Sequence, residues 1–292
     1  MAPMTEPALT DEVVARLAAT PDERLRTVMQ SLVRHLHAFV TEVRLTDAEW
    51  AAGIRFLTAT GQLSDEARQE FVLLSDTLGV STLVDLVNHG GDDEQLTEPT
   101  ILGPFYVPGS PWRDLGASMV EYEDGGEPAV LRGQVRALSG QPIEGATLDV
   151  WQTAATGYYA VQQPDVQPAT NLRGRYRTDS EGRFVIRTVR PAPYPIPHDG
   201  PVGHLLAATG RHPWRAAHIH AIVSADGYVP VVTHVFDRQS DYLDNDTVFG
   251  VKASLIRDFV PGQDGVVVCE HDVVLRPERP TTSATPSPGR DA

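Results

Sequence analysis

Hydrophobic periodicity changes character part-way along this chain, and that change limits its fold more than any other feature. Up to about residue 89, apolar residues recur at spacings of three and four. Asp22-Glu-Arg-Leu25 opens a run through Val43 in which Leu25, Val28, Met29, Leu32, Val33, Leu36, Phe39 and Val40 share one helical face. Thr46-Asp-Ala-Glu49 is a capping box for the next helix, expected to run to about Thr60. A third helix starts within Ser64–Gln69, and a fourth ends near His89. From about residue 129 the texture turns to short β-prone runs separated by Gly, Pro and Asp. They are Ala129–Ala137, Thr147–Gln152, Gly182–Thr188, His218–Ser224, Tyr228–Phe236 and Val266–Leu275. Brief strands between turn signals predict a β-sandwich. The chain therefore reads as mainly β with α: a helical region over 1–98, a sandwich over 99–276, and unstructured tails at 1–9 and 277–292.

With 292 residues, 41% of them hydrophobic, there is material for one large core or two modest ones. A formal charge of -15 argues against nucleic acid or an anionic membrane surface as a partner. The single cysteine, Cys269, excludes an internal disulfide and suits a reducing cytoplasm. Neither a signal peptide nor an apolar run of the ~20 residues needed to span a membrane is evident.

Chemistry concentrates in Trp214-Arg-Ala-Ala-His218-Ile-His220, which runs into the apolar Ala221-Ile-Val-Ser-Ala225. In a strand, His218 and His220 face the same side, roughly 6.5–7 Å apart, and can converge on one metal ion. Two histidines satisfied by hydrogen bonds would explain the pattern equally well. Two tyrosines stand in unusual settings upstream: Tyr159 in Gly157-Tyr158-Tyr159, and Tyr194 among four prolines in residues 191–197. That proline density forbids a helix or a central strand, so Tyr194 sits on a stiff loop. The loop is a good mount for a ligand, although tyrosines also simply pack over proline-rich turns. A phenol of pKa about 10 stays ionised at neutral pH only beside a strongly Lewis-acidic ion, which points to ferric iron rather than zinc, calcium or magnesium.

These residues, together with Pro99-Thr-Ile-Leu-Gly103-Pro-Phe-Tyr106, Asp149-Val-Trp151-Gln, Asn171-Leu-Arg173-Gly and Pro193-Tyr194-Pro-Ile-Pro197, match a known pattern. Over roughly residues 20–275 the chain resembles the intradiol ring-cleaving dioxygenases, in the catechol/hydroxyquinol 1,2-dioxygenase branch. The resemblance implies one Fe(3+) per subunit, held by Tyr159, Tyr194, His218 and His220. The motif register favours Tyr159 over Tyr158. The iron would activate the organic substrate, which chelates through two adjacent hydroxyls, and O2 would open the ring between the two hydroxylated carbons. Tyr194 would leave the metal and take a substrate proton. Arg215 would stand beside the ring although simple strand parity turns it away, so a local bend is required.

Substrate choice rests on fewer residues. Where catechol-specific members carry Thr-Gln, this chain has Thr233-His234; His234 is either a specificity residue or a structural one. The run Asp241–Lys252 and Val161–Asp165 look like the hydroxyquinol branch, so hydroxyquinol cleaved to 3-hydroxy-cis,cis-muconate (maleylacetate) is expected, with catechol or chlorocatechol as the alternative. Pocket walls are expected from Ile101, Leu102, Gly103 and Pro104, and from an apolar helix over Phe71–Leu83 that carries Asp76, with Asp85 beyond it. Asp76 and Asp85 are candidates to meet the third hydroxyl. The family further implies a homodimer joined through the N-terminal helices, with bound phospholipid between subunits. Two other classes fit parts of the pattern. One is a β-sandwich binding module with an incidental His-x-His. The other is a zinc hydrolase that adds Asp237 or His234 to the histidine pair.

Overall fold

The computed structural model describes residues 5–65, 68–89 and 95–278. They fall into two compact units, divided between Gln62 and Leu63.

The first unit is helical. Helix α1 (Glu6–Leu17) packs on α2 (Glu23–Glu42), and α3 (Asp47–Leu63) follows. Helix α1 overturns the expectation of an unstructured 1–9 from residue 6 onward; residues 1–4 lie outside the described residues. The Thr5 hydroxyl caps the Ala8 N–H, Glu6 lies in the positive first turn, and Pro7 needs no N–H there. The capping box before α3 forms reciprocally: Thr46 N–H donates to Glu49 Oε2 at 2.9 Å and Glu49 N–H to Thr46 Oγ1 at 3.3 Å.

In the second unit the expected third and fourth helices are α4 (Glu70–Thr77) and α5 (Val80–His89), so the helix expected to run unbroken over Phe71–Leu83 is interrupted. The hinge is Gly79, whose φ of +72° ends a helix at little cost only in glycine. A further helix, α6 (Pro201–Ala208), was not expected from the proline-rich run before it; it begins at Pro201 and is tied by a Val202 N–H to Glu70 Oε1 hydrogen bond of 3.2 Å.

Two five-stranded sheets form the sandwich. One runs β10-β11-β1-β12 with β4 on the other side of β1, using β1 (Pro128–Ala137), β4 (Arg183–Val189), β10 (Phe259–Pro261), β11 (Val267–Glu270) and β12 (Val273–Leu275). The other runs β3-β2-β7-β8-β9, from β2 (Thr147–Trp151), β3 (Arg173–Arg177), β7 (His218–Ser224), β8 (Val231–Asp237) and β9 (Ile256–Arg257). Leu131, Val135, Phe184 and Ile186 from the first sheet meet Leu148, Val150, Ile219, Ala221, Val223 and Val235 from the second in one core.

The run Val266–Leu275, expected as one strand, splits at His271-Asp272. There β1 changes partner from β11 to β12, and Asp272 Oδ1 takes the Gln134 N–H at 3.0 Å. Gly133 lies at that crossing, where an added Cβ would come within 2.0 Å of the His271 carbonyl oxygen. Of the expected C-terminal tail, Pro277 bridges to Tyr228 and residues 279–292 lie outside the described residues.

Candidate metal centre

Strand β7 buries both of its faces over His218–Ala221, whereas an antiparallel strand with one solvated face would alternate. Ile219, Ala221 and Val223 point into the sandwich core. His218 and His220 point outward, beside Phe236 and His234 of β8 and Trp151 of β2. The outer face carries imidazoles, yet it is as dry as the inner one: His218, His220 and His234 are 1%, 2% and 0% exposed.

Tyr159 and Tyr194 complete the group. Tyr194 begins β5 (Tyr194–Pro195), which pairs with β6 (Trp214–Arg215) in a two-residue ribbon. Gly157, with φ of +83°, lets the Tyr159 loop approach, since an added Cβ would already touch the Tyr194 Cβ at 3.4 Å. Tyr159 Oη lies 3.1 Å from Tyr194 Oη and 2.9 Å from His220 Nε2, and His220 Nε2 lies 3.1 Å from His218 Nε2. Tyr158, by contrast, is exposed.

The back of each imidazole decides what its front can do. His218 Nδ1 is 2.6 Å from the Ala216 carbonyl, which can only accept, so the proton sits on Nδ1 and Nε2 presents a lone pair. His220 Nδ1 meets His234 Nε2 at 2.8 Å; when it donates there, its Nε2 also faces the cluster as a lone pair. Two phenol oxygens and two imidazole nitrogens thus converge with their partners fixed behind them, a donor set that fits one metal ion. His218, His220 and His234 also form a group whose ligand atoms lie within 4.8 Å. His234 nevertheless spends its Nε2 on the back of His220, away from the other four donors.

Burial sets the electrostatics. It pushes the pKa of all three histidines well below the ordinary value, reinforced by Arg215 and by the neighbouring histidines, so the imidazoles are neutral and ready to ligate. Burial, and then Tyr194, push the Tyr159 phenol well above its ordinary value, so without a cation it keeps its proton. Aromatic packing holds the rings: Trp151 stacks on His220 at 4.6 Å with 12° between planes, and Phe105 on Tyr159 at 4.8 Å.

Arg215 reaches the cluster through the bend that strand parity demanded. Its two-residue strand ends before Ala216-Ala217, and β7 starts afresh at His218. The guanidinium is buried, with Nη1 at 3.2 Å from Tyr194 Oη and 3.1 Å from His218 Nε2. Burial opposes its charge, but Asp246 and the two tyrosines outweigh that and hold its pKa above the ordinary value.

The wall residues are placed unevenly. Gly103, at φ of +76°, lies over the centre, where an added Cβ would sit 3.6 Å from His220 Cε1. Ile101 is buried and Leu102 exposed. Pro104 lines a cavity of about 230 Å³ with Glu70, Leu73, Phe105, Gln162 and Pro197. Asp76 lies on the same face of α4 as Leu73, 3% exposed, its pKa raised by burial against the opposing pull of Ser81 and Arg215. Asp85 is committed elsewhere, to Lys252 Nζ at 2.8 Å and His89 Nδ1 at 3.0 Å, and Asp237 is paired with Arg190. Asp246, which the sequence reading did not single out, pairs with Arg215; the one available signal was its place in the acidic run Asp241–Asp246 before Gly250.

Known proteins share this architecture and its sequence. Residues 22–95 match the family model described as catechol dioxygenase N terminus, and residues 101–277 the one described as dioxygenase. The chain is 51% identical to 6-chlorohydroxyquinol 1,2-dioxygenase of Cupriavidus pinatubonensis, over 92% of this chain and 96% of that protein. It is 46% identical to hydroxyquinol 1,2-dioxygenase of a Rhizobium species, over 87% of this chain and 85% of that protein. The solved hydroxyquinol 1,2-dioxygenase of Pseudomonas putida superposes with a TM-score of 0.87 at 48% identity, covering 94% of this chain and 99% of that one. The motifs, the fold and these relatives agree: the chain belongs to the intradiol ring-cleavage dioxygenase family.

Proposed function

We propose that this enzyme holds one Fe(3+) on Tyr159, Tyr194, His218 and His220 and cleaves hydroxyquinol with O2 to 3-hydroxy-cis,cis-muconate, the tautomer of maleylacetate. The observation that carries the reading is the convergence of two phenol oxygens and two imidazole lone pairs in a site that excludes water. That donor set is hard and anionic once the phenols ionise, which suits ferric iron over zinc. Iron, when bound, supplies the Lewis acidity that keeps the phenols ionised and polarises a chelating catechol. Tyr194 Oη accepts one of the two phenolic protons that the substrate gives up. Arg215 Nη1, 3.2 Å from that oxygen, steadies the negative charge that the proton leaves behind on the ring oxygens. Gly103 and Pro104 cover one side of the ring, and Phe105 and Trp151 keep Tyr159 and His220 from turning.

Asp76 supports a triol over a diol. Its carboxyl is buried near Arg215 with a raised pKa, and it either donates to or accepts from a third ring hydroxyl. The relative named for 6-chlorohydroxyquinol makes a chlorinated triol the second reading. His234 supports the iron site from behind His220 in this account, not the substrate wall. The helical region, 1–98, serves as the dimerisation part and the sandwich, 99–276, as the catalytic part. Half-exposed Leu25, Leu32, Leu36 and Phe39 on α2 suit a homodimer contact that also holds phospholipid. Among the described residues no helix is long and apolar enough to cross a membrane, and Cys269 is a free buried thiol, in keeping with a cytoplasmic enzyme.

Oxygen uptake with hydroxyquinol, 6-chlorohydroxyquinol and catechol, with product identification, tests this. A Tyr194→Phe control subtracts the slow air oxidation of the triols. Uptake favouring a triol, with maleylacetate or its chloro analogue formed, is expected. A preference for catechol overturns the substrate, and no uptake above the control from iron-loaded protein overturns the reaction.

A further inference from the structure

Arg215 is held from behind by a carboxylate whose two oxygens are both committed. Asp246 Oδ1 accepts from Arg215 Nε at 3.2 Å, with the two side chains 1% and 3% exposed. Asp246 Oδ2 accepts the Gly250 N–H at 2.9 Å. The Asp246–Gly250 turn is itself fastened: the Thr247 N–H donates to the Trp214 carbonyl at 3.1 Å, next to Arg215 in sequence, and Phe249 adopts a φ of +58°. Gly250 also leaves space that another residue would fill, because an added Cβ would lie 2.9 Å from Arg215 Nη2 and 3.2 Å from Asp246 Oδ2.

On its other side the guanidinium has Nη1 at Tyr194 Oη and His218 Nε2, while Nη2 lies beside Gly250, buried and without a hydrogen-bond partner among the described residues. A buried guanidinium needs a counter-charge, and Asp246 supplies it in contact. The acceptor that Nε finds decides where Nη1 points.

We propose that Asp246, seated by Gly250, is a positioning residue that aims Arg215 Nη1 at Tyr194 Oη. The proposal rests on the reaction assigned above. Asp246 touches neither substrate nor metal; it fixes the direction of the guanidinium and neutralises it from the rear. Without it, Arg215 turns away from Tyr194.

Two variants approach the same geometry from opposite sides: Asp246→Asn presents an amide where the Gly250 N–H and Arg215 Nε both require acceptors, and Gly250→Ala pushes on Nη2. In iron-loaded enzyme both are expected to keep wild-type iron content, to lose about 10- to 100-fold in kcat per iron with a smaller change in KM, and to shift the visible tyrosinate-to-iron absorption. A purely structural pair would lower Tm and leave kcat per iron and the absorption band alone, which overturns the proposal. If Asp246→Asn does not fold, Gly250→Ala alone decides by the same readouts. Should the wild type turn over none of the three substrates, the reaction assignment fails by itself. A crystal structure of Gly250→Ala then decides the aim: Arg215 displaced from Tyr194 supports it, and Arg215 unmoved overturns it.

Discussion

Around His218 and His220 the two faces of the sheet β3-β2-β7-β8-β9 come from the same strands and are equally dry, yet they are built on opposite principles. Inward, Leu148, Val150, Ile219, Ala221, Val223 and Val235 pack without a polar atom among their side chains. Outward, Trp151, His218, His220, His234 and Phe236 share the space with Tyr159, Tyr194 and Arg215. The inner face is held chiefly by apolar burial, which has no direction and tolerates repacking. The outer face is held by hydrogen bonds whose geometry leaves two lone pairs and two phenol oxygens pointing at one place. One face supplies stability and the other supplies a site, so substitutions on each should register in different measurements.

The largest separation is expected from Tyr194→Phe and Tyr159→Phe. Each should lower oxygen uptake on the order of 10²–10⁴-fold and weaken and shift the visible absorption, with denaturant unfolding little changed. A fully active Tyr159→Phe protein with unchanged absorption would remove that residue from the centre. Ile219→Ala, one residue from each histidine but facing inward, should do the reverse. A loss of about 2–5 kcal/mol in a denaturant titration is expected, with iron bound per folded molecule unchanged. Iron loss in folded Ile219→Ala would mean that the faces are not independent.

His234 sharpens the comparison because it belongs to the outer face without joining the four donors. His234→Ala should weaken metal affinity about 10- to 100-fold by freeing His220 Nδ1, whereas His234→Gln, whose Oε1 can accept from that N–H, should retain it. Metal titrations in which the two variants bind alike would separate His234 from His220.

The effect that is smallest at neutral pH and grows only in acid lies across the sandwich, at His271, a buried imidazole outside the site. Burial, and then Arg257, lower its pKa from 6.5 to about 3. The unfolded chain takes up a proton there below about pH 6.5 and the folded one does not until about pH 3, so this contribution to stability is intact above pH 6.5 and drains away as pH falls. His271→Phe should therefore flatten the acid limb of the stability profile by about 1.4 kcal/mol per pH unit between those limits. Parallel acid limbs in variant and wild type would rule this out.

Much of the fold was legible because periodicity is a local property. Strand β7 was bounded correctly at both ends, and α2 to within a residue or two, since each presents one apolar stripe between clear turn or cap signals. The failures have local causes too. A run read as a single helix over Phe71–Leu83 breaks because Gly79 adopts a backbone its neighbours cannot, and periodicity does not report φ. The run Val266–Leu275 breaks because β1 changes partner there, which depends on a strand more than a hundred residues away. Strand β3 was missed because Arg173-Gly-Arg-Tyr-Arg177 carries little apolar signal; it is held at the edge of β2, with Trp112 stacked under Arg175 and Arg177.

The family, the two textures of the chain and the chemical types gathered for the site can be read from the order of residues. Motif spacing and the even-numbered placement of His218 and His220 are written into a linear string. Only the packed fold shows that His234 stands behind His220 and that Asp246 anchors Arg215. Those contacts join residues 14 and 31 positions apart through side-chain directions that only the packed sheet fixes. Local pattern gives the face on which a side chain lies, whereas its hydrogen-bond partner is chosen by whatever the rest of the fold brings against that face.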